Sequence, residues 1–188
     1  MTLSERLTAK HGALLVVDLQ EKLVDKILER DRVIANALRL VRGAQALEIP
    51  VHATEQYPKA LGPSIASLIE LIPERGSKTT FHCCAVHQFL EQLYGRQVRH
   101  VTLCGIEAHV CVAQTALELM NLGFRVQVVA DAVGSRHRID WEFALRRLER
   151  AGTVVSTTEA VLFEWTECSD RPEFKTISNL IKESEQRA

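Results

Sequence analysis

VRHVTLCGIEAHVCVAQTALELMNLGFRVQVVADAVGSR, running from Val98 to Arg136, decides how this chain folds. Val98, Val101, Thr102 and Leu103 form a short β-rich apolar run that Gly105 breaks. From Ala108 to Leu122 the apolar residues Val112, Ala116, Leu119 and Met120 recur at roughly 3.6-residue spacing. This predicts a helix with one buried face, stopped by Asn121 and Gly123. Phe124 to Ala130 is a second apolar run, closed by Asp131. Strand, turn, helix, strand is the βαβ unit of a parallel sheet, and such sheets gather ligands beyond the carboxyl ends of their strands. Cys111 lies there, in the predicted first turn of the helix. Free N–H groups and the positive end of the helix dipole favour thiolate over thiol at such a place. Free cysteine is also among the most often buried residue types, so nucleophile and small core hydrophobe both stay open for Cys111 on this segment alone.

Working outward, Ala13 to Val17 is a continuous apolar run without alternation, as expected of a central strand covered on both faces, and Asp18 follows at its carboxyl end. Leu19 to Glu29 and Val33 to Leu47 read as helices, the second capped by Asp31 and ended by Pro50. Val51 to Thr54 reads as a second strand, followed by a loop and a short helix over Ser64 to Ile72. Ser77 to Phe81 reads as a short strand or extended connection, and Ala85 to Tyr94 as a helix. Beyond the opening stretch come a helix over Arg138 to Ala151, a strand over Thr153 to Ser156, and helical pieces over Thr158 to Trp165 and Pro172 to Glu185. This alternation predicts an α/β domain with helices on both faces of a parallel sheet. No repeat or linker interrupts it, so a single domain over 1–188 is expected.

The 188 residues carry net charge -1, with 46% hydrophobic and 25% charged residues. Scattered Lys and Arg leave no electrostatic footprint for nucleic acid, and the few aromatics form no stacking platform, so no nucleic-acid partner is expected. The apolar run at Ala13 to Val17 is too short for a signal peptide or a membrane span, so no membrane contact and a cytoplasmic location are expected. Five cysteines, an odd number without CxxC pairs, predict reduced thiols.

Asp18, Lys78 and Cys111 each follow, or lie near, the end of a predicted strand, so the fold can bring them to one rim. A thiol attacking a carbonyl needs a base, a cation favouring the anionic forms, and donors for the oxyanion. Asp18, Lys78 and the Gly105 turn can supply these in turn, with Lys78 expected to lower the pKa of the thiol. Each residue alone has a bland reading: a helix cap for Asp18, a solvated charge for Lys78.

VVDLQ at Val16 to Gln20, SKTTF at Ser77 to Phe81, and especially GIEAHVCV at Gly105 to Val112 resemble the three signature segments of the isochorismatase-like cysteine hydrolase superfamily. Within it, the sequence is most similar to the isochorismatase-domain-containing branch of unassigned hydrolases. The resemblance implies a three-layer α/β/α, Rossmann-like fold with a mainly parallel six-stranded sheet, and a catalytic triad of Asp18, Lys78 and Cys111. It also implies a cis peptide between Ile106 and Glu107, oxyanion donors at the backbone N–H groups of Glu107 and Cys111, and a homo-oligomer. Ala108 stands where many relatives carry Thr, a departure that bears on substrate class more than on reaction type.

Nicotinamidases of the superfamily bind a metal through Asp and His after the second strand. The corresponding stretch here reads ATEQYPK, in which Glu55 alone does not make a site. None of the seven histidines forms a short-spaced ligand pair, and neither metal nor cofactor is expected. The Cys83 and Cys84 pair is expected to pack or to flank the pocket. Gln20, Gln56, Phe81 and His109, each just past a strand end, are candidates for pocket lining; each could equally be structural or exposed. The expectation is a metal-independent cysteine hydrolase that cleaves a small amide-like C–N bond through a thioester on Cys111. The alternatives are an isochorismatase-type vinyl-ether hydrolase, which does not need the thiol, and a catalytically idle binding or scaffold protein.

Overall fold

Ala13 to Val17 offers no side chain that prefers water, and the sheet forms around it. A computed structural model describes residues 6–185. In it β1 (Gly12–Val17) and β4 (His100–Ile106) are buried throughout and pair in parallel, from Gly12 opposite His100 to Val17 opposite Gly105. β2 (Val51–Gln56) and β3 (Gly76–Lys78) extend the sheet on one side, β5 (Arg125–Gly134) and β6 (Val154–Ser156) on the other. The order is β3-β2-β1-β4-β5-β6, and every adjacent pair is parallel.

Alternation along β1 divides the core. Leu14 and Val16 face the layer containing α2 (Arg30–Ala46), α8 (Thr158–Thr166) and α9 (Phe174–Glu185), meeting Leu40, Val41, Leu162 and Ile177. Ala13, Leu15 and Val17 face α5 (His87–Gly95), α6 (Ala113–Asn121) and α7 (Arg138–Ala151), meeting Phe89, Leu93, Leu119 and Leu148. A sheet buried on both faces needs such unbroken apolar strands, and the result is the three-layer α/β/α architecture. Trp165 is buried in the first of these cores, in its own chain, while Phe163 is exposed. No helix among the described residues is long and apolar enough to cross a membrane.

Four local expectations are corrected. Of Leu19 to Glu29 only α1 (Glu21–Val24) is helical, because Asp18 and Glu29 take left-handed backbone, φ 50° and 55°, and Gln20 is drawn into the sheet. Helix α2 starts from Glu29, so Asp31 is not its cap but an acidic residue in its first turn, where it still complements the dipole. The loop after β2 contains α3 (Pro58–Leu61), with Pro58 in the helix-starting position. It is followed by α4 (Ala66–Leu71). Strand β5 does not end at Asp131: it runs to Gly134 past an irregularity in its pairing with β4 between Leu103 and Gly105. The Asp131 carboxylate is accommodated because Oδ1 accepts hydrogen bonds from the backbone N–H and hydroxyl of Thr158, at the start of α8.

Candidate active site

Strand order reverses direction between β1 and β4, and in sheets of this kind the crevice at that reversal is where ligands bind. Asp18 leaves β1 there, and the segment carrying Cys111 leaves β4. Gly105 lets the two strands close up: it has φ 107°, and a Cβ on it would run into the backbone carbonyl oxygen of Val17, one residue before Asp18. Only glycine fits that position. Lys78 arrives from the sheet edge as the last residue of β3.

The three side chains meet. Lys78 Nζ donates to Asp18 Oδ2 at 2.7 Å and lies 3.6 Å from Cys111 Sγ. Asp18, Lys78 and Cys111 are 0%, 5% and 6% exposed, so the pair of charges is held almost without water. Two further acceptors hold the ammonium: Gln56 Oε1 at 2.6 Å and the Thr80 carbonyl at 3.4 Å. The other carboxylate oxygen, Asp18 Oδ1, accepts from the Thr54 hydroxyl at 2.8 Å. A buried ion pair is tolerated only when its remaining hydrogen-bonding positions are filled, and here they are.

Cys111 does not sit in a regular α-helix. Ala108 to Val112 form a single π-helical turn ahead of α6, with Val112 N–H donating to the Glu107 carbonyl at 3.2 Å. Turns of this width recur at functional sites. The peptide between Ile106 and Glu107 is cis. Glu107 turns outward, where its Oε2 accepts from Arg136 Nε at 3.0 Å and Arg136 N at 3.2 Å.

The electrostatics revise the expectation of a resting thiolate. Burial pushes the Cys111 thiol well above its ordinary range, and the charge of Asp18 pushes the same way; Lys78 opposes both without prevailing. The helix-start position does not compensate for a dry site that also holds a carboxylate. Burial works against the Lys78 ammonium, but the Asp18 carboxylate bonded to it more than offsets this, and its pKa is raised. The resting site therefore sets a Lys78 ammonium, bonded to Asp18, beside a protonated Cys111 thiol.

The four pocket candidates separate. Gln20 is wholly buried and belongs to the frame: its Nε2 donates to the carbonyls of Gln56 and Gly62, and its Oε1 accepts from Gln56 N, prolonging the β1–β2 pairing beyond Asp18. Gln56 grips Lys78 and anchors its own Nε2 on the Thr79 carbonyl. Phe81 is 52% exposed. His109 turns toward β5 and α7, 3.0 Å from Ser135 Oγ and 3.9 Å from Asp140 Oδ2. Sequence reasoning missed Thr54; Cys83, expected to pack or to flank the pocket, is buried with its Sγ 3.3 Å from Thr54 Oγ1. The available signal was a hydroxyl residue ending a strand beside the one that ends in Asp18. Glu55 braces a loop: one oxygen accepts from Ser64 N, Ser64 Oγ and Arg75 Nε. Among the described residues no group of three or more His, Cys, Asp and Glu is arranged to hold a metal ion.

The isochorismatase domain profile matches residues 12–160. The chain belongs to the isochorismatase family. Isochorismatase domain-containing protein 2 of Danio rerio is 40% identical over 178 residues, covering 94% of this chain and 89% of the relative. Among solved structures, a Caenorhabditis elegans protein described as MAR1 ribonuclease superposes with TM-score 0.87 at 40% identity, covering 94% of this chain and 92% of that one. The Escherichia coli YcaC gene product, described as an octameric hydrolase of unknown specificity, superposes with TM-score 0.85 at 22% identity over the whole of both chains, a likeness of fold alone. Isochorismatase family membership supports a hydrolase.

Proposed function

We propose that the protein is a cysteine hydrolase that cleaves a small amide-like C–N bond through a thioester on Cys111. The observation that carries this reading is the Lys78 ammonium, 2.7 Å from the Asp18 carboxylate and 3.6 Å from the Cys111 sulfur, all three almost wholly buried. Because the resting thiol is protonated, its proton moves to Asp18 as sulfur attacks the carbonyl carbon. The carbonyl electrons move onto oxygen, which the backbone N–H groups of Glu107 and Cys111 receive. Collapse of this intermediate breaks the C–N bond, Asp18 returns the proton to the leaving amine, and the acyl group remains on sulfur. Water, deprotonated by Asp18, then cleaves the thioester and restores the thiol. Lys78 holds Asp18 Oδ2 between steps and Gln56 keeps Lys78 aimed.

The test is intact-mass detection of an acyl adduct after exposure to small amides, ureas and carbamates, with turnover measured in parallel. An adduct confined to Cys111 and lost in Cys111→Ala supports the reading; turnover that survives this substitution overturns it in favour of a vinyl-ether type of hydrolysis. Absence of any adduct across the panel, with Cys111 alkylation indifferent to Asp18→Asn, supports an idle binding pocket.

The description of the Caenorhabditis elegans relative favours a second reading, RNA cleavage. It asks a polyanion to bring a phosphodiester against side chains that are 0% to 6% exposed, on a chain of net charge -1, whereas binding a phosphate backbone draws on an excess of cationic contacts. A small neutral amide brings no such charge into the site. An RNA oligonucleotide belongs in the same panel: cleavage that is lost in Asp18→Asn would favour this reading.

A further inference from the structure

Cys83 is a buried thiol beside the Asp18 carboxylate that the proposed chemistry does not use. Its Sγ lies 3.3 Å from Thr54 Oγ1, and Thr54 Oγ1 lies 2.8 Å from Asp18 Oδ1. Thr54 is 1% exposed and Cys83 0%, so water does not substitute for either partner. The direction of this chain follows from counting protons. A hydroxyl has one proton and a carboxylate none, so Thr54 donates to Asp18, and the proton between Cys83 and Thr54 must come from sulfur. Cys83 is thereby held as a thiol and donates to Thr54, which donates to Asp18. Its backbone N–H donates to Thr115 Oγ1 at 2.9 Å, fixing the far end to α6. The backbone repeats the tie, with Asp18 N donating to the Thr54 carbonyl at 3.2 Å.

We infer that Thr54 is a positioning residue: its hydroxyl, oriented by the Cys83 thiol, occupies Asp18 Oδ1 and disperses the carboxylate charge that acts on Cys111. This rests on the reading of Asp18 and Cys111 given above and adds to it a division of labour between two thiols. One proton is locked by geometry and the other is left to move. Cys83 stays protonated, with burial first and Asp18 second pushing its pKa up to about 11. The charged and titratable groups around the Cys111 thiol are Asp18, Lys78 and Cys83. On the surrounding elements are His109 beside Asp140 of α7, the outward Glu107–Arg136 pair, and Glu118 of α6, which faces Cys84.

The experiment follows the rate of Cys111 alkylation by iodoacetamide against pH, read by peptide mass, which needs no knowledge of the substrate. Thr54→Val removes the hydroxyl and keeps the shape. With the carboxylate charge less dispersed, Cys111 should titrate higher by roughly half to one pH unit, a threefold to tenfold slower reaction below its midpoint. Thr54→Ser, which keeps the donor, should stay within about twofold of wild type. Asp18→Asn should move the profile the other way, since Lys78 then acts on the thiol unopposed. A valine variant that titrates like wild type overturns the inference, as does a serine variant as displaced as valine, which would make the role one of packing. If Asp18→Asn also leaves the profile unmoved, it is the functional reading itself that fails. Thermal melts of each variant confirm that folded protein is being compared.

Discussion

Replacing Lys78 with Met keeps most of the side-chain volume and deletes the charge. The ammonium is held by Asp18 Oδ2 at 2.7 Å and Gln56 Oε1 at 2.6 Å, and both side chains of the ion pair are 1% exposed. The variant leaves a dry carboxylate with Thr54 as its side-chain donor and a glutamine oxygen facing a methyl group. Removing one partner of a buried pair costs about 3 to 5 kcal/mol. A second route gives a similar ceiling: the site can bury a neutral acid instead, and protonating an ordinary carboxyl group at pH 7 costs about 4 kcal/mol. The expected loss is therefore about 3 to 4 kcal/mol at pH 7. Because the escape route takes up a proton, the loss should shrink by roughly 1.4 kcal/mol for each pH unit below 7, down to about pH 5. Urea unfolding followed by circular dichroism, in reducing buffer at pH 7 and pH 5, measures both quantities. Asp18→Asn combined with Lys78→Met should recover much of the loss, since a neutral amide needs no counter-ion. A loss below about 1 kcal/mol at pH 7, or one equal at the two pH values, would refute the claim that these charges are paired in a dry site.

Gly105→Ala places a methyl group against the Val17 carbonyl in a left-handed backbone; about 3 kcal/mol or more should be lost. Its Cys111 should no longer show the wild-type alkylation profile, and an unchanged melt and profile would show that β1 and β4 do not need this contact. His52 has its pKa lowered to about 4, by burial first and then by Arg96, and its buried Nε2 has no hydrogen-bond partner among the described residues. A base whose folded pKa is depressed contributes stability that is present above 6.5 and lost as the pH falls through about 4. His52→Phe should flatten that part of the stability curve, whereas an equal acid dependence in the variant would place the titration elsewhere. The raised Lys78 and Cys83 pKa values act in the opposite window. Wild-type stability should decline as the pH rises from about 9 through about 11, and Cys83→Ala should make the decline shallower in alkaline urea titrations.

The layered sheet was legible because its cause is local. Ala13 to Val17 and Val101 to Leu103 have no polar residue to turn toward water, and Gly105 and Gly123 mark where strand and helix must stop. The meeting of Asp18, Lys78 and Cys111 was legible for a topological reason: in a parallel sheet all strand ends that precede a helix share one rim, whatever their separation along the chain. Where the reading failed, the cause lay across space. Leu19 to Glu29 has helical residues, but Gln20 bonds the Gln56 backbone instead and left-handed Asp18 and Glu29 close the segment off. A helix-start cysteine suggests a thiolate until the Asp18 charge and the loss of water are placed beside it. No spacing rule marks Thr54 or Cys83, whose roles exist only once β2 lies against β1.

A buried Lys–Asp pair is a poor way to stabilise a protein, since well-packed apolar side chains of the same size do as well or better. This fold nonetheless keeps one at its most buried crossing and surrounds it with Thr54, Gln56, Gln20 and the Thr80 carbonyl, each with its hydrogen-bonding capacity used. Such a frame fixes the donor order of the side chains around the pair. Thr54 and Cys83 are locked by their donor order, Lys78 is held by acceptors, and Gln56 is held at both ends. Among the described residues, the Cys111 thiol faces the Lys78 ammonium and the Asp18 carboxylate, with Asp18 as its acceptor. The proposed transfer of the thiol proton to Asp18 uses that contact, and the opposite shifts expected for Asp18→Asn and Thr54→Val distinguish a frame built around that proton from one that only holds the sheet together.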